Sequence, residues 1–490
     1  CAPEVEGTLN KKASYELIER VVPDYADLFE VEYLPKEGEA DIFELEQCGD
    51  KIVLRGNNGV SVASALNYYL KNYAHCEYSW NASNLKFPDP VPTVPEKVRK
   101  ETPYQYRHYF NYCTFNYTSS WWDWDRWQFE IDYMALHGIN MPLAMTGQNA
   151  VWDRVYRKLG FSDEDMDKFF TGPAYFMWFW AGNIDAWCGP LPASWKESHE
   201  KLQKQILARE RELGMTPILP AFTGHVPPTF MKKYPEAKLK RLNWEGRFDD
   251  TFVLEPDDPM FKTIGNMFME EQIKTFGTDH FYGADTFNEM YPPSSDSTYL
   301  NGIGKAVYQS MADVDSEAVW VMQGWMFHDK RSFWQPDQMK AYLGGVPDKG
   351  LIVLDLWGEE FPIWDRTEAF YGKQWIWCML HNFGGRNMMY GNAAKLAAEP
   401  SRVLNDPSAG ALTGIGAVPE GIEQNPMIYS LLFDHVWRRD AIDLDSWLKN
   451  YAHSRYGVPD ENMERAWEIL KQTTYAHEGN YESAIMARPT

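Results

Sequence analysis

The chain has 490 residues, 44% of them hydrophobic, and a formal net charge of −23. A chain of this length and apolar content can bury a large core spread over two or three domains. No uncharged apolar run of about 18 residues occurs, so no transmembrane segment is expected. The negative charge argues against nucleic acid as a partner and against a deep cationic cleft for highly sulfated polymers, because polyanions bind to basic surfaces.

The first residue, Cys1, fits a processed lipoprotein in which the thiol carries the lipid and residues 1–10 form a tether. A trimmed sequence is the alternative. The six cysteines are scattered and none forms a Cys-x-x-Cys pair, which indicates neither a zinc site nor a disulfide scaffold.

Residues 11–85 show the pattern of a small α/β domain, with apolar alternation in its strands and one apolar face on each helix. Four prolines between residues 88 and 95, followed by basic residues, predict a linker over residues 86–103. The predicted helices of this domain are residues 15–22 and 60–73, and its predicted strands are residues 29–33, 41–47 and 52–55.

A strand-then-helix rhythm begins at residue 104 and predicts an α/β fold, a (β/α)8 TIM barrel over residues 104–433. A doubly wound open sheet is the alternative, but no Gly-rich phosphate-binding fingerprint follows any strand. Residues 434–490 read as the start of a helical C-terminal domain that is cut short. The eight predicted barrel strands are residues 106–113, 141–145, 215–221, 282–286, 318–323, 351–356, 374–378 and 412–417.

Two glutamates stand where predicted barrel strands end. Asn288 and Glu289 close the fourth strand, and Glu420 lies in a Pro-Glu-Gly turn after the eighth. Barrels of this kind place their chemistry at the carboxyl ends of the strands, and a pair of carboxylates there suits glycoside hydrolysis. A capping glutamate in a surface turn is the other explanation for Glu289. The rival second acids are Glu359, Glu360 and Asp285, of which Asp285 is expected to be a structural hydrogen-bonding group.

Further polar side chains recur just after predicted strand ends, which places them at the same end of the barrel. Each is weak evidence alone, because a lone His or Asn in a loop is more often a turn residue. These residues are Asn111, Cys113, Gln148, His225, Gln323, Trp325, His381 and Asn382.

Several long motifs closely resemble those of the α-N-acetylglucosaminidases, glycoside hydrolase family 89. The resemblance runs from about residue 104 to the end of the chain and is weaker through the N-terminal domain. The motifs are FNEM at 287–290, WWDWDRW at 121–127, FFTGPA at 169–174, LPAFTGH at 219–225, FGTDHFYGAD at 276–285, WCMLHNFGG at 377–385 and PEGIEQN at 419–425.

The resemblance implies a retaining exo-hydrolase that removes terminal α-linked N-acetylglucosamine from glycans without a metal or other cofactor. It implies that Glu289 is the acid/base and Glu420 the nucleophile. The sugar pocket is expected to include Asn111, Cys113, Trp187, His225, Asn288, Trp325 and His381. Such an enzyme, acidic and beginning at a cysteine, is expected to be secreted, periplasmic or a bacterial surface lipoprotein rather than lysosomal. A homo-oligomer is possible if a neighbouring subunit closes the pocket.

Stereochemistry gives an independent reason for a protein nucleophile. In an α-linked N-acetylglucosaminide the 2-acetamido group is cis to the leaving group and cannot attack the anomeric carbon from behind. A retaining enzyme then needs its own carboxylate. The two acids must also differ in protonation, so Glu289 should have a raised pKa while Glu420 ionises. Two other classes stay open: a substrate-assisted β-hexosaminidase and a catalytically silent sugar-binding protein.

Overall fold

The computed structural model describes residues 5–384, 386 and 388–477, and eight parallel strands within them form a closed barrel. The strands follow one another around the ring in chain order, and the eighth pairs with the first. A parallel bridge between Leu143 and Ile218 joins the second strand to the third and closes the ring. The TIM-barrel prediction is therefore confirmed. The barrel strands are Tyr106–Tyr109, Met141–Pro142, Leu219–Pro220, Phe281–Gly283, Val319–Gln323, Leu351–Asp355, Gln374–Met379 and Leu412–Ala417.

Several strands end earlier than their sequence pattern predicted. The first ends at Tyr109, because Phe110 adopts a φ of +83° and leaves the sheet. The fourth ends at Gly283, and Phe287 and Glu289 beyond it have φ values of +57° and +54°. Residues assigned to strand ends therefore lie on the loops that form the carboxyl-end face.

Helices between the strands form the outer layer of the barrel. Helix Pro259–Phe276 shows how the sequence sets their ends: Asp258 caps the first turn, proline occupies the first position, and Gly277 stops the helix at a φ of +75°. The longer barrel helices are Trp124–Leu136, Gln148–Lys158, Ala193–Glu212, Pro259–Phe276, Ser297–Ala312, Pro336–Leu343, Ala393–Leu404 and Pro426–Phe433. Short helical segments are Thr114–Tyr117, Asp163–Asp167, Phe176–Trp180, Phe230–Lys233, Trp325–Asp329 and Glu368–Tyr371.

The N-terminal domain is a four-stranded sheet packed against helices Lys11–Val21 and Gly59–Asn72. One strand comes from the predicted linker: Val98–Glu101 pairs antiparallel with Ile42–Cys48. The basic side chains that suggested a solvated linker instead contact Glu44, at 2.7 Å from Lys97 and 2.9 Å from Arg99. The linker prediction is corrected for this stretch. The spatial strand order is Phe29–Tyr33, Lys51–Gly56, Ile42–Cys48 and Val98–Glu101.

The predicted N-terminal tether is corrected where the structure describes it. Val5–Glu6 and Leu9–Asn10 form an antiparallel pair, Leu9 is fully buried, and Asn10 caps the first helix. Burial of Leu9 holds this segment against the domain. Cys1, and the lipid attachment expected there, lies outside the described residues.

Buried ion pairs join the N-terminal domain to the barrel. Arg107 on the first barrel strand lies 2.6 Å from Asp41, and both side chains are almost fully buried. The same guanidinium donates to the carbonyl of Gly138 at 2.8 Å. A second pair, Arg20 with Asp132, contacts through both carboxylate oxygens at 2.7 Å. The two domains therefore share a polar interface as well as a continuous apolar core.

A small antiparallel sheet, absent from the prediction, is inserted after the third barrel strand. Its three strands are short, and the edge strand Leu239–Leu242 is charged, so none of them had a clear strand pattern. The basic residues Lys238, Lys240 and Arg241 are exposed and pair with Asp257, Glu255 and Asp250, so they form a solvated face. In spatial order the strands are His225–Val226, Thr251–Leu254 and Leu239–Leu242.

Two helices, Leu444–Tyr456 and Glu461–Gln472, follow the barrel. The first packs on the N-terminal domain, and the short strand Ala476–His477 returns to pair with Gly391–Asn392. Within the described part of the chain, no helix combines the length and apolarity needed to cross a membrane.

Candidate active site

A cavity of about 220 Å³ opens at the carboxyl ends of the barrel strands. At roughly 30 Å³ per water molecule this space suits one monosaccharide rather than a run of sugars. Both predicted acids, Glu289 and Glu420, line it. The other lining residues are Asn111, Cys113, Tyr117, Met177, Trp178, Trp244, Asn288, Gln323, Trp325, Leu356, Leu380 and Phe383.

Glu289 is half-buried in the cavity wall on the loop after the fourth strand. Each of its carboxylate oxygens accepts an indole N–H at 3.2 Å, from Trp325 and from Trp244. Burial raises the pKa of Glu289, while the two indole donors oppose that shift. A carboxyl with a raised pKa, held from both sides, is suited to donate a proton.

Glu420 lies on the loop after the eighth strand. Its carboxylate accepts the backbone N–H of Gly384 at 2.7 Å and a hydrogen bond from the Cys113 thiol. Burial raises the pKa of Glu420 to about 7, the Gly384 N–H opposes the rise, and the charge of Glu289 adds to it. Glu420 was expected to ionise readily, so its raised pKa departs from that expectation. Because the two acids act on each other, they titrate as a pair, and the first proton leaves more easily than the second.

Four of the predicted pocket residues line the cavity: Asn111, Cys113, Asn288 and Trp325. The Asn111 amide lies between the loops after the first and eighth strands. It donates to the carbonyl of Val418 at 3.2 Å and accepts from the backbone N–H of Cys113 at 2.9 Å. It therefore ties the loop after the first strand to the loop that carries Glu420.

Asn288 is held by a reciprocal contact with Asn183, a fully buried residue. The Asn183 amide donates to the backbone carbonyl of Asn288 at 2.8 Å, and the Asn288 amide donates to the Asn183 side chain at 3.2 Å. This contact fixes the residue next to Glu289 in a loop with positive φ values.

Three predicted pocket residues lie away from the cavity. His225 is fully buried, with Nε2 2.9 Å from Asp185, and His381 is buried against Asn425 at 3.0 Å. Neither side chain reaches the cavity, which corrects their predicted binding role. Trp187 is 46% exposed and packs edge-on against Phe248, so it lies outside the cavity lining.

The rival acids have structural partners. Asp285 accepts the backbone N–H of Gln323 at 3.0 Å, as expected for a group under the site, and burial raises its pKa to about 8. Glu359 accepts backbone N–H groups from Leu380 and His381, at 3.1 and 2.7 Å, and burial raises its pKa to about 8. Neither carboxyl lines the cavity, nor does Glu360.

Aromatic residues that the sequence did not assign complete the cavity wall. Trp178 and Trp244 stack with ring centroids 6.2 Å apart, and Trp244 stacks again on Phe248 at 5.2 Å. Tyr117 packs edge-on against Trp178 at 5.5 Å. Aromatic walls of this kind suit the apolar face of a sugar ring. For Trp178 the one available signal was the high aromatic content of residues 169–187, which a core would explain equally well.

A larger open groove of about 900 Å³ lies beside the inserted sheet. Its carboxylates Asp257 and Glu255 are each paired with a lysine, at 2.6 and 2.9 Å. It contains no matched pair of free acids among the described residues, so volume alone does not make it the reactive site.

A closed (β/α)8 barrel with two glutamates in one sugar-sized cavity has the architecture of the TIM-barrel glycoside hydrolases. Comparison with known proteins narrows the class. The alpha-N-acetylglucosaminidase (NAGLU) TIM-barrel domain matches residues 107–439, its N-terminal domain residues 12–93, and its C-terminal domain residues 447–490. The chain belongs to the α-N-acetylglucosaminidase family, glycoside hydrolase family 89.

Human (Homo sapiens) alpha-N-acetylglucosaminidase is 44% identical over 450 residues, which is 90% of this chain and 60% of the human protein. A family 89 glycoside hydrolase from Clostridium perfringens, in complex with 2-acetamido-1,2-dideoxynojirmycin, is 36% identical with a TM-score of 0.91. The match covers 98% of this chain and 55% of that one. The Clostridium perfringens enzyme with two glutamates replaced by glutamine is known in complex with its substrate GlcNAc-alpha-1,4-galactose. Its match to this chain has 36% identity, a TM-score of 0.90 and the same coverage of both chains. The chain thus spans little more than half the length of these relatives.

Proposed function

We propose that the chain is a retaining exo-glycosidase that releases terminal α-linked N-acetylglucosamine through a covalent glycosyl-enzyme. The observation that carries the proposal is that Glu289 and Glu420, far apart in sequence, line one cavity of monosaccharide size. Family membership and the name of the human relative support the same sugar and linkage.

In the proposed reaction, Glu289 protonates the glycosidic oxygen while the Glu420 carboxylate attacks the anomeric carbon. The C–O bond to the aglycone breaks, and an ester bond to Glu420 forms. Glu289, now ionised, removes a proton from water, which attacks the same carbon and releases the sugar and Glu420. Neutralisation of Glu420 in the ester removes a nearby negative charge and lowers the pKa of Glu289 for this second step.

The need for a protein nucleophile follows from the α linkage. The 2-acetamido group lies on the same face as the leaving group and cannot displace it from behind. A carboxylate on the opposite face must do so, and we assign this role to Glu420, which lies on a different barrel loop from Glu289.

The size of the cavity, which suits one sugar, predicts removal of single terminal residues with the aglycone left outside. The Clostridium perfringens relative was captured with GlcNAc-alpha-1,4-galactose, so we propose that a galactose aglycone is accepted here as well. This part of the proposal concerns specificity and does not depend on the identity of the nucleophile.

The test is an assay of the purified chain with paired α- and β-linked chromogenic N-acetylglucosaminides. Hydrolysis of the α anomer alone is expected. Glu420→Gln should lose nearly all activity on every substrate, and Glu289→Gln should lose about 10²- to 10⁴-fold on poor leaving groups and far less on activated ones. Preference for the β anomer, with tight binding of an oxazoline-mimicking inhibitor, would indicate substrate assistance instead. Sugar binding without turnover would indicate a silent binding protein.

A further inference from the structure

Residues 380–384, which follow the seventh barrel strand, hold Glu420 at three points. The Glu420 backbone N–H donates to the carbonyl of Asn382 at 2.9 Å, and the Gly421 N–H donates to Asn382 Oδ1 at 2.8 Å. The Gly384 N–H donates to Glu420 Oε2 at 2.7 Å. One segment therefore fixes both the main chain and the carboxylate of Glu420.

Asn382 does not line the cavity. Its side chain is fully buried, and its amide donates to the carbonyl of Arg386 at 3.1 Å. The oxygen of the amide thus holds the turn after Glu420, and its nitrogen holds the backbone two residues beyond Gly384. A residue with these contacts cannot touch a sugar in the cavity and must act through Glu420.

Glu359 anchors the other end of the segment. Its two oxygens accept the N–H groups of Leu380 and His381, at 3.1 and 2.7 Å. His381 has a φ of +56°, a conformation that a non-glycine residue holds only where neighbours restrain it. Glu359 supplies that restraint from the preceding loop, where it is partly buried.

We propose that Asn382 and Glu359 are positioning residues that brace residues 380–384 so that the Gly384 N–H points at the Glu420 carboxylate. The inference rests on the proposed function, because it is the nucleophile that the brace serves. Neither the sequence motifs nor the cavity lining assigned these two residues a role in holding the nucleophile.

The chemical consequence concerns the charged form of Glu420. The Gly384 N–H stabilises the ionised carboxylate, which is the form that attacks. If the brace loosens, this hydrogen bond lengthens and the pKa of Glu420 rises further. The titratable and charged groups that act on Glu420 or are acted on by it are Glu289, Cys113, Arg386, Tyr117 and Tyr390. A change at Asn382 or Glu359 removes none of these five groups, although Glu359 also acts on Tyr390 and Asn382 holds the backbone of Arg386.

The test compares Asn382→Ala and Glu359→Gln with a matched control, Asn57→Ala. Asn57 is also fully buried and accepts a backbone N–H, that of Ile42 at 2.9 Å, but lies in the N-terminal domain. We expect both brace variants to lose about 10- to 100-fold in kcat with KM changed less than about threefold. The acid limb of kcat/KM should move to higher pH by about one unit. The control should lower thermal stability and leave both limbs in place.

A second readout separates this inference from the proposed function. With ¹⁵N-glycine labelling, the Gly384 amide resonance, assigned through Gly384→Ala, should titrate with Glu420, and its midpoint should rise in either brace variant. An unchanged midpoint and an unchanged acid limb in folded Asn382→Ala and Glu359→Gln would overturn the brace. If the wild-type chain hydrolyses neither anomer, the proposed function fails while the amide titration still decides the brace.

Discussion

Glu289 accepts one indole N–H on each oxygen, from Trp325 at the start of a short helix and from Trp244 in a turn of the inserted sheet. Both favour the ionised form and so oppose the rise that burial causes in the pKa of Glu289. The pKa of Glu289 therefore depends on how many indole donors its carboxylate keeps.

Removing one donor should therefore raise the pH up to which Glu289 stays protonated. In Trp244→Phe the ring remains but the N–H is gone, so the pKa of Glu289 should rise and the alkaline limb of kcat/KM should move up by as much as about one pH unit. The measurement is a pH–rate profile on an unactivated α-linked substrate. Trp121→Phe, at an exposed tryptophan, is the control. An alkaline limb that stays put or moves down would show that Trp244 does not act on the acid.

The sequence predicted both acids and four of the residues around them, but not the aromatic side chains of the cavity wall. Glu289 and Glu420 directly follow buried strands, and that position is readable from apolar pattern and turn residues. His225 and His381 also follow strands, yet their side chains turn into the core. Sequence position fixes which loop a residue occupies but not whether its side chain faces the cavity or the core.

At the scale of elements, the eight strands and their order were predictable because each is a buried apolar run between helical segments. The inserted sheet was not, because its strands are only two to four residues long, and Leu239–Leu242 has two adjacent basic residues in its centre. Trp244 lies in a turn of this sheet, so the lack of a strand signal left both the sheet and this cavity residue unpredicted. The edge strand Val98–Glu101 was hidden in the same way by its charges.

The Arg107–Asp41 pair tests how firmly the N-terminal domain and barrel are joined. Arg107→Ala would leave the buried Asp41 carboxylate without its closest cation, and the free energy of unfolding should fall by about 3–5 kcal/mol. Denaturant unfolding measures this. Arg241→Ala, which breaks an exposed pair, should cost less than about 1 kcal/mol.

The same pair predicts a pH dependence. Burial raises the pKa of Asp41, but Arg107 and Lys36 outweigh it and the net shift is downward. A lowered native pKa means that the stabilisation is present above the unfolded pKa of about 4 and is lost as the pH falls below it. The difference between wild type and Arg107→Ala should therefore shrink in acid, and a constant difference would contradict the role of the ion pair.

For the whole molecule, three carboxyls give the free energy of unfolding the opposite pH dependence, because their pKa values are raised by burial and not lowered by an ion pair. Burial raises the pKa of Asp285 to about 8, of Asp355 to about 7 and of Glu359 to about 8. Each group holds a proton in the native state that the unfolded chain releases above about pH 4. Their contribution to stability is full below that pH, falls by about 1.4 kcal/mol per pH unit for each group as the pH rises above it, and is lost once the pH has passed the native pKa of 7 to 8.

We therefore expect the free energy of unfolding to be higher near pH 5 than near pH 8, by chemical denaturation at both values. Asp285→Asn keeps an oxygen for the Gln323 N–H but cannot ionise, so it should flatten the alkaline loss. Asp440→Asn, at an exposed position, should leave the loss unchanged. If the protein is equally stable at both pH values, or if Asp285→Asn leaves the slope as steep as in wild type, these carboxyls are not held protonated in the fold. The protonation assigned to the cavity acids would then need direct measurement, because burial shifts the pKa values of both sets in the same way.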